Sequence, residues 1–437
     1  MNPTALQTRR VQKKAHVDDS DIGQIIKSDL FSTFNDNLSI PVHRWFRFSA
    51  GFSSDWAREV MLKEKCMNIL DPFAGSGTVM LEAQVLGLHG IGIEAHPFIA
   101  RIAGAKLHWR ESPDEFLTLT QSILAKAKKL HGGTEHYPKL IQACFPKENL
   151  QHLDSLRRAW LQHDNKSPLS ELAWLTLASI LRQCSPVGTA QWQYVLPKKT
   201  KARKADPFFA FETKANLMAN DMKMLQSHCA LAGSADLIRG DARDCEAVPD
   251  KSIDLVITSP PYANNYDYAD ATRLEMSFFG EVQGWGDLQE TVRKYLIRSC
   301  TQHVTPQIEE TMEILKDSIL SPIYAEIKDV CEQLGKEREL HGGKKAYHTM
   351  IACYFLDLAD TWVALRRVMK PGARACFVIG DSAPYGVYVP VDEWLGKLAV
   401  SAGFKSFTFE KTRDRNIKWK NRKHRVPLKE GRLWVQG

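Results

Sequence analysis

Three groups of residues in this chain have types and spacings that could do chemistry. The first is Ser259-Pro260-Pro261-Tyr262, which abruptly stops the apolar run Ile253-Asp-Leu-Val-Ile-Thr258. Two successive prolines remove two backbone donors and fix φ twice, so the carbonyls at this turn are rigidly aimed. Ser259 Oγ and the Pro260 carbonyl are then two acceptors able to grip both hydrogens of an amino group carried by an aromatic ring. Such an amine has its lone pair delocalised into the ring. Attack on a methyl sulfonium therefore needs acceptors of this kind as nitrogen goes from planar to tetrahedral, and Tyr262 offers a face for the ring to stack on.

The second group binds rather than reacts. A short apolar run ends in Asp71 and passes into Phe73, Gly75 and Gly77, and a second run ends in Glu94. Glycines let backbone approach a ligand closely at the carboxyl ends of sheet strands, and an acidic residue closing the next strand can accept hydrogen bonds from both hydroxyls of a ribose. The turn lacks the third glycine of a dinucleotide fingerprint and the lysine of a phosphate loop, which favours a nucleoside ligand without a phosphate chain. Asp241 in RGDARD stands at a third strand end.

The third group is basic. Arg9, Arg10, Lys13 and Lys14 form one cluster, and Lys198, Lys199, Lys201, Arg203 and Lys204 form another. A third runs from Lys411 to Arg425, with Arg413, Arg415, Lys418, Lys420, Arg422 and Lys423, Trp419 among them and only Asp414 opposing. Phosphate contact is the functional reading. A solvated face or tail fits the first cluster better and fits the other two equally well.

The elements that must position these groups alternate. Met67–Asp71, Gly90–Glu94, Ala235–Asp241, Ile253–Thr258 and Ala373–Ile379 read as strands, with helix-like TVMLEAQVLGL after the first glycine turn. That order predicts an α/β fold with a parallel sheet and helices on both faces. Two segments interrupt it, 106–234 and 281–345, and both read as helical. The first contains the capping box Ser112-Pro113-Asp114-Glu115 and the amphipathic ELAWLTLASILRQ; the second contains DLQETVRKYLIRS and EETMEILKDSILSPIYAEIKDVCEQL. The expected organisation is a basic tail over 1–22, a core over 23–105 and 235–437, and helical insertions over 106–234 and 281–345.

Composition bounds the class. Hydrophobic residues are 44% and charged residues 25% of 437, the balance of a globular protein, and the net charge of +7 suits a polyanionic partner without requiring one. No apolar run reaches the roughly 18 residues that span a bilayer, and the first residues lack the apolar region of a secretory signal, so a cytoplasmic protein without membrane contact is expected. The nine cysteines are scattered and form no C-x-x-C pair, so neither a disulfide frame nor a metal site is indicated.

DPFAGSGT resembles the first motif of amino-methyltransferases, D-x-F-x-G-x-G, and S-P-P-Y resembles their fourth motif in the serine form typical of enzymes making N4-methylcytosine. By that resemblance the chain is similar to DNA amino-methyltransferases of the cytosine-N4/adenine-N6 type. The likeness covers 40–105 and 235–437, including Phe355-Leu-Asp-Leu-Ala-Asp and Phe377-Val-Ile-Gly-Asp-Ser382. It implies a Rossmann-like fold with a mostly parallel seven-stranded sheet and S-adenosyl-L-methionine as cofactor. Asp71, Phe73, Gly75, Gly77, Glu94 and Asp241 would bind that cofactor, with Asp241 reading the adenine amino group. Ser259, Pro260, Pro261 and Tyr262 would be catalytic. It further implies double-stranded DNA as partner, a flipped-out target base, and a setting in which a cognate restriction endonuclease accompanies the enzyme.

Arg44-Trp45-Phe46-Arg47-Phe48-Ser49 and Phe52 occupy the place of the family's N-terminal cofactor motif, and a plain aromatic core fits them equally. Asn264, Asn265, Tyr266 and Asp267 stand where a base pocket would be lined, and as turn formers they also suit an ordinary loop. Adenine-N6 of DNA and a base of structured RNA are the rival substrates. A non-catalytic binding module is a remoter rival, disfavoured because both motif halves are intact. The DNA-reading region falls in an insertion or beyond the catalytic motifs, with 106–234 the first candidate.

Overall fold

The computed structural model describes residues 36–48, 51–189, 195–200, 204–229, 233–415 and 426–437. Seven of its strands form one sheet: β1 (Asn68–Asp71), β2 (His89–Ile93), β5 (Ser234–Ile238), β6 (Ile253–Thr258), β7 (Met369–Gly380), β8 (Ser406–Arg415) and β9 (Leu428–Gln436). Two more, β3 (Val187–Thr189) and β4 (Val195–Thr200), pair as a separate antiparallel ribbon. The sheet order is β5-β2-β1-β6-β7-β9-β8, parallel except where β9 runs against both neighbours. This is the Rossmann-like arrangement of methyltransferases. The order reverses between β1 and β6, and a ligand crevice opens at such a switch point, outside the strands' carboxyl ends.

Alternation along the central strands explains why helices cover both faces. Ile69 of β1 with Leu255 and Ile257 of β6 meet Trp56 and Val60 of helix Ser54–Glu64 and Val79 and Ala83 of helix Thr78–Val85. Leu70 and Val256 point the other way, into a core shared with Leu358 and Trp362 of helix Tyr347–Val368 and Leu395 of helix Val391–Ser401.

Residues 106–234 form a bundle of helices: Pro113–Ala127, Lys139–Cys144, Lys147–Leu161, Pro168–Cys184 and Pro207–His228. Ser112 caps the first of these by accepting from the Glu115 amide, with Pro113 in the first turn, as the local sequence predicts. The second insertion departs from expectation. Of the two helical stretches foreseen, only Tyr324–Leu340 is long; in DLQETVRKYLIRS the α-helix ends at Thr291 and gives way to a single 3-10 turn over Arg293–Tyr295. There the chain turns so that Arg293 is buried against Asp267, its Nη2 2.6 Å from Oδ2, and a buried ion pair outweighs local helical preference. Pro306 and Pro322 keep the following segment in short 3-10 turns.

The N-terminal segment is tied to the bundle by one carboxylate. Asp221, fully buried on helix Pro207–His228, accepts from the Val42 amide, from Arg44 Nε at 3.0 Å and Nη2 at 2.5 Å, and from Trp45 Nε1 at 2.9 Å. Phe48 and Phe52, a few residues on, are buried and line a cleft together with the glycine turn after β1. Removing that carboxylate leaves a cation, an indole and an amide without partners. Asp221→Ala is expected to cost roughly 3 kcal/mol of folding stability; equilibrium denaturation checks this, and a loss below about 1 kcal/mol would mean the contacts are incidental.

Candidate active site at the switch point

The turn after β1 is built by two buried carboxylates. Asp71, 1% exposed, accepts from the Phe73 amide at 3.0 Å and from Thr258 Oγ1 at 2.5 Å, which joins the end of β1 to the end of β6. Glu94 Oε2 accepts from the Gly75 amide at 2.7 Å, and Oε1 accepts from the His96 amide at 2.8 Å. Gly75 at φ +53° and Gly77 at φ +85° take the left-handed conformation that the turn requires. A Cβ on Gly75 would also stand 3.1 Å from the Phe48 ring, and one on Gly77 3.3 Å from Ala103.

These turns open a cleft of about 830 Å³. Pro72 to Ser76 line it beside Glu94, His96, Gly240, Asp241, Ser259 and Pro261, so the ends of β1, β2, β5 and β6 all contribute. Phe48, Phe52, Tyr268 and Tyr295 supply aromatic faces. Among the described residues no lysine or arginine lines it, so a phosphate chain finds no counter-charge there. Two carboxylates and several aromatic faces suit a cationic sulfonium nucleoside instead.

Burial pushes both carboxyls up. Glu94 rises to about 7, opposed by the amides of His96, Gly75 and Ala95. Asp71 also rises to about 7 through burial, opposed by Thr258 and the Phe73 amide and helped by the charge of Glu94. Asp241 is gripped by Arg243, whose Nε is 2.9 Å from each of its oxygens, and Arg243 reaches on to Asp357. Asp357 also holds Arg298, with Nη2 at 2.6 Å. This fastens the second insertion, and with it Tyr295, Leu296 and Ile297, to the cleft.

Of the residues singled out from sequence, Phe73, Gly75, Glu94, Asp241, Ser259 and Pro261 line one cleft. Asp71, Gly77, Pro260 and Tyr262 are not part of that lining; Asp71 and Gly77 shape the turn from behind. Phe48 and Phe52 also line it. Asn264, Asn265 and Asp267 are spent on the fold. Asn264 Oδ1 accepts from the Tyr266 amide, and Asn265 Oδ1 takes the amide and hydroxyl of Thr301. Burial works against a charged Asp267, yet His303 and Arg293 hold it down at about 2. His96, Ile99, Tyr268 and Tyr295–Ile297 escaped sequence reasoning. Only His96, two residues beyond Glu94, carried a signal; the others arrive through tertiary packing.

The basic residues divide. Arg413 Nη2 lies 2.6 Å from Glu430, and the Arg415 guanidinium sits over the Tyr262 ring, so neither is a free cation awaiting phosphate. Lys204 is exposed. Lys198 and Lys199 lie on β4, and Lys201, Arg203, Lys418, Lys420, Arg422 and the cluster at 9–14 lie outside the described residues.

Comparison with known proteins agrees with this geometry. A family model described as DNA methylase, of the N6/N4 type, matches residues 61–105, the span holding the cofactor turn and Glu94. The Type II methyltransferase M.BsoBI of Geobacillus stearothermophilus is 27% identical, over 85% of this chain and 80% of its own. The Type II methyltransferase M.AvaI of Nostoc sp. is 26% identical, over 85% and 81%. These matches support the chain as a member of the DNA amino-methyltransferase family. It is thus a DNA methyltransferase of the N4/N6 type whose methyl donor is S-adenosyl-L-methionine. Among the described residues no helix is long and apolar enough to cross a membrane.

If Glu94 holds the ribose, as its place at the end of β2 leads one to expect, hydroxyls bonding it would favour its ionised form. The folded values of both carboxyls exceed those of free ones, so the empty fold gains from them fully below about pH 4 and loses that gain as pH rises through about 7. Cofactor binding has the opposite sign. S-adenosylmethionine affinity is expected to rise up to about ten-fold from pH 6 to pH 8, and less in Glu94→Gln. Titration calorimetry checks both, and an equal rise in wild type and variant would remove Glu94 from the ribose site.

Proposed function

We propose that the enzyme methylates the exocyclic N4 of cytosine in duplex DNA, on a flipped-out base, as the modification half of a restriction-modification pair. The observation that carries this reading is the state of Ser259. Its hydroxyl donates to the Val378 carbonyl of β7 at 3.2 Å. The single hydroxyl hydrogen is thereby used, and of the two lone pairs one is shared with the Tyr262 hydroxyl, leaving the other to accept from an amino group. A neutral hydroxyl does this without burying a further charge beside Asp71 and Glu94. The two relatives are both named Type II methyltransferases, which supports the pairing with a nuclease.

In this reading Asp71, Phe73, Gly75, Gly77, Glu94 and Asp241 make up the cofactor site, Asp71 and Gly77 by holding its shape. When bound, S-adenosylmethionine supplies an electrophilic methyl on sulfur. Ser259 Oγ and the Pro260 carbonyl accept the two amino hydrogens, and Pro261 keeps the turn rigid. The bound cofactor would supply the methyl group to that nitrogen and be left as a thioether, and the surplus amino proton would pass to solvent. Cys245 and Cys353, buried with thiols pushed up to about 12, supply no nucleophile.

Tyr262 stacks the base. β8 ends at Arg415 and β9 begins at Leu428 beside the carboxyl end of β7. Lys418, Lys420 and Arg422, between those two positions in sequence, are assigned to phosphates, as are Lys198, Lys199, Lys201, Arg203 and Lys204 of the helical insertion over 106–234, the proposed DNA reader.

Unmethylated plasmid DNA treated with the enzyme and S-adenosylmethionine, digested to nucleosides and analysed by mass spectrometry, is expected to yield N4-methylcytosine. N6-methyladenine as the only product would overturn the reading of Ser259. Ser259→Ala should lower kcat at least 100-fold with cofactor affinity nearly unchanged, because these bonds strengthen chiefly in the transition state. A Ser259→Ala variant of full turnover would exclude the hydroxyl as an acceptor.

A further inference from the structure

Arg415 ends β8, and its side chain reaches across the sheet edge rather than outward. Nη1 donates to the Asp381 carbonyl at 2.7 Å, Nε lies 3.6 Å from Glu430 Oε2, and Cζ sits 5.0 Å from the centre of the Tyr262 ring. The side chain is only 14% exposed. Gly380, at the end of β7, makes room for it: a Cβ there would stand 2.8 Å from Nη1 and 3.0 Å from Cδ. The backbone at Gly380 is not in the left-handed region, so the constraint there is space. Ser382, two residues on, donates its hydroxyl hydrogen to the Ala263 carbonyl and ties the same loop to the residue after Tyr262.

A guanidinium held by a carbonyl, a carboxylate and an aromatic face has its position fixed before any DNA arrives. Its planar charge rests on the negative face of the ring, which restrains the ring's tilt. We propose that Arg415 is a positioning residue for methyl transfer: it clamps Tyr262 from one side and so fixes the opposite face as the platform for the target base. This rests on the stacking role given to Tyr262 above. It replaces phosphate contact as the role of this arginine.

The two roles separate in one experiment on the full chain, with unmethylated plasmid DNA and tritiated S-adenosylmethionine. Arg415→Ala should lower kcat about ten-fold or more, with S-adenosylmethionine affinity and the salt dependence of DNA affinity unchanged; the unchanged cofactor affinity reports an intact fold. Gly380→Ala, which keeps the arginine but displaces it, should lower kcat in the same way. In a Tyr262→Ala background, Arg415→Ala should add less than about two-fold, since residues acting as a unit are not additive. A salt slope reduced by about one with kcat intact would return Arg415 to the phosphates. Full additivity with Tyr262→Ala would show it acts elsewhere. If Tyr262→Ala lowers kcat and Arg415→Ala does not, the clamp alone is wrong; if Tyr262→Ala has no effect, the stacking platform fails and the clamp with it.

Discussion

Two carboxylates buried at the strand ends hold the site together. Asp71 joins the carboxyl ends of β1 and β6 through Thr258, and Glu94 joins the end of β2 to the glycine turn through the Gly75 amide. Each is desolvated enough that its ordinary charge is disfavoured, and each is retained in spite of that cost. What they hold in return is backbone: a turn with two left-handed glycines that would otherwise have many conformations. The crevice is therefore formed before a ligand enters, and Ser259 is set by the same bonds, since Thr258 precedes it directly.

The walls of the crevice come from segments distant in sequence, and acidic residues again fasten each one. Asp221 fixes the aromatic N-terminal segment to the helical bundle. Asp357 joins Arg243 beside Asp241 to Arg298 next to Tyr295–Ile297. Asp267 buries Arg293 and bends the second insertion into place. A methyl sulfonium is cationic, so a cleft lined by carboxylates and aromatic rings, with arginines turned away into the scaffold, has the polarity its ligand needs.

How much of this was legible in the sequence follows from the range of each interaction. Ile253–Thr258 appeared as a strand with its observed bounds, because an apolar run stopped by prolines is a local signal. The glycine turn, Glu94 and the serine turn were equally local. Asp71 read as a ligand contact, but its hydrogen bonds are to Thr258 and Phe73; only the fold brings that threonine, far along the chain, to it. Arg413 and Arg415 read as cations for phosphate because charge clusters say nothing about partners such as Glu430 and Tyr262; Arg413 is exposed as expected though paired with Glu430, and Arg415 is turned inward. Residues 287–299 read as helix because periodicity cannot foresee that Arg293 pairs with Asp267 inside the molecule.

The central claim is that this crevice is a preformed cofactor site facing the serine turn, and a crystal structure with S-adenosylhomocysteine bound tests it most directly. The account predicts ribose hydroxyls on Glu94, the adenine amino group toward Asp241, sulfur facing Ser259, and a turn over residues 71–77 that moves by less than about 1 Å. A ligand seated elsewhere, or a turn that refolds to admit it with Asp71 released from Thr258, would contradict it.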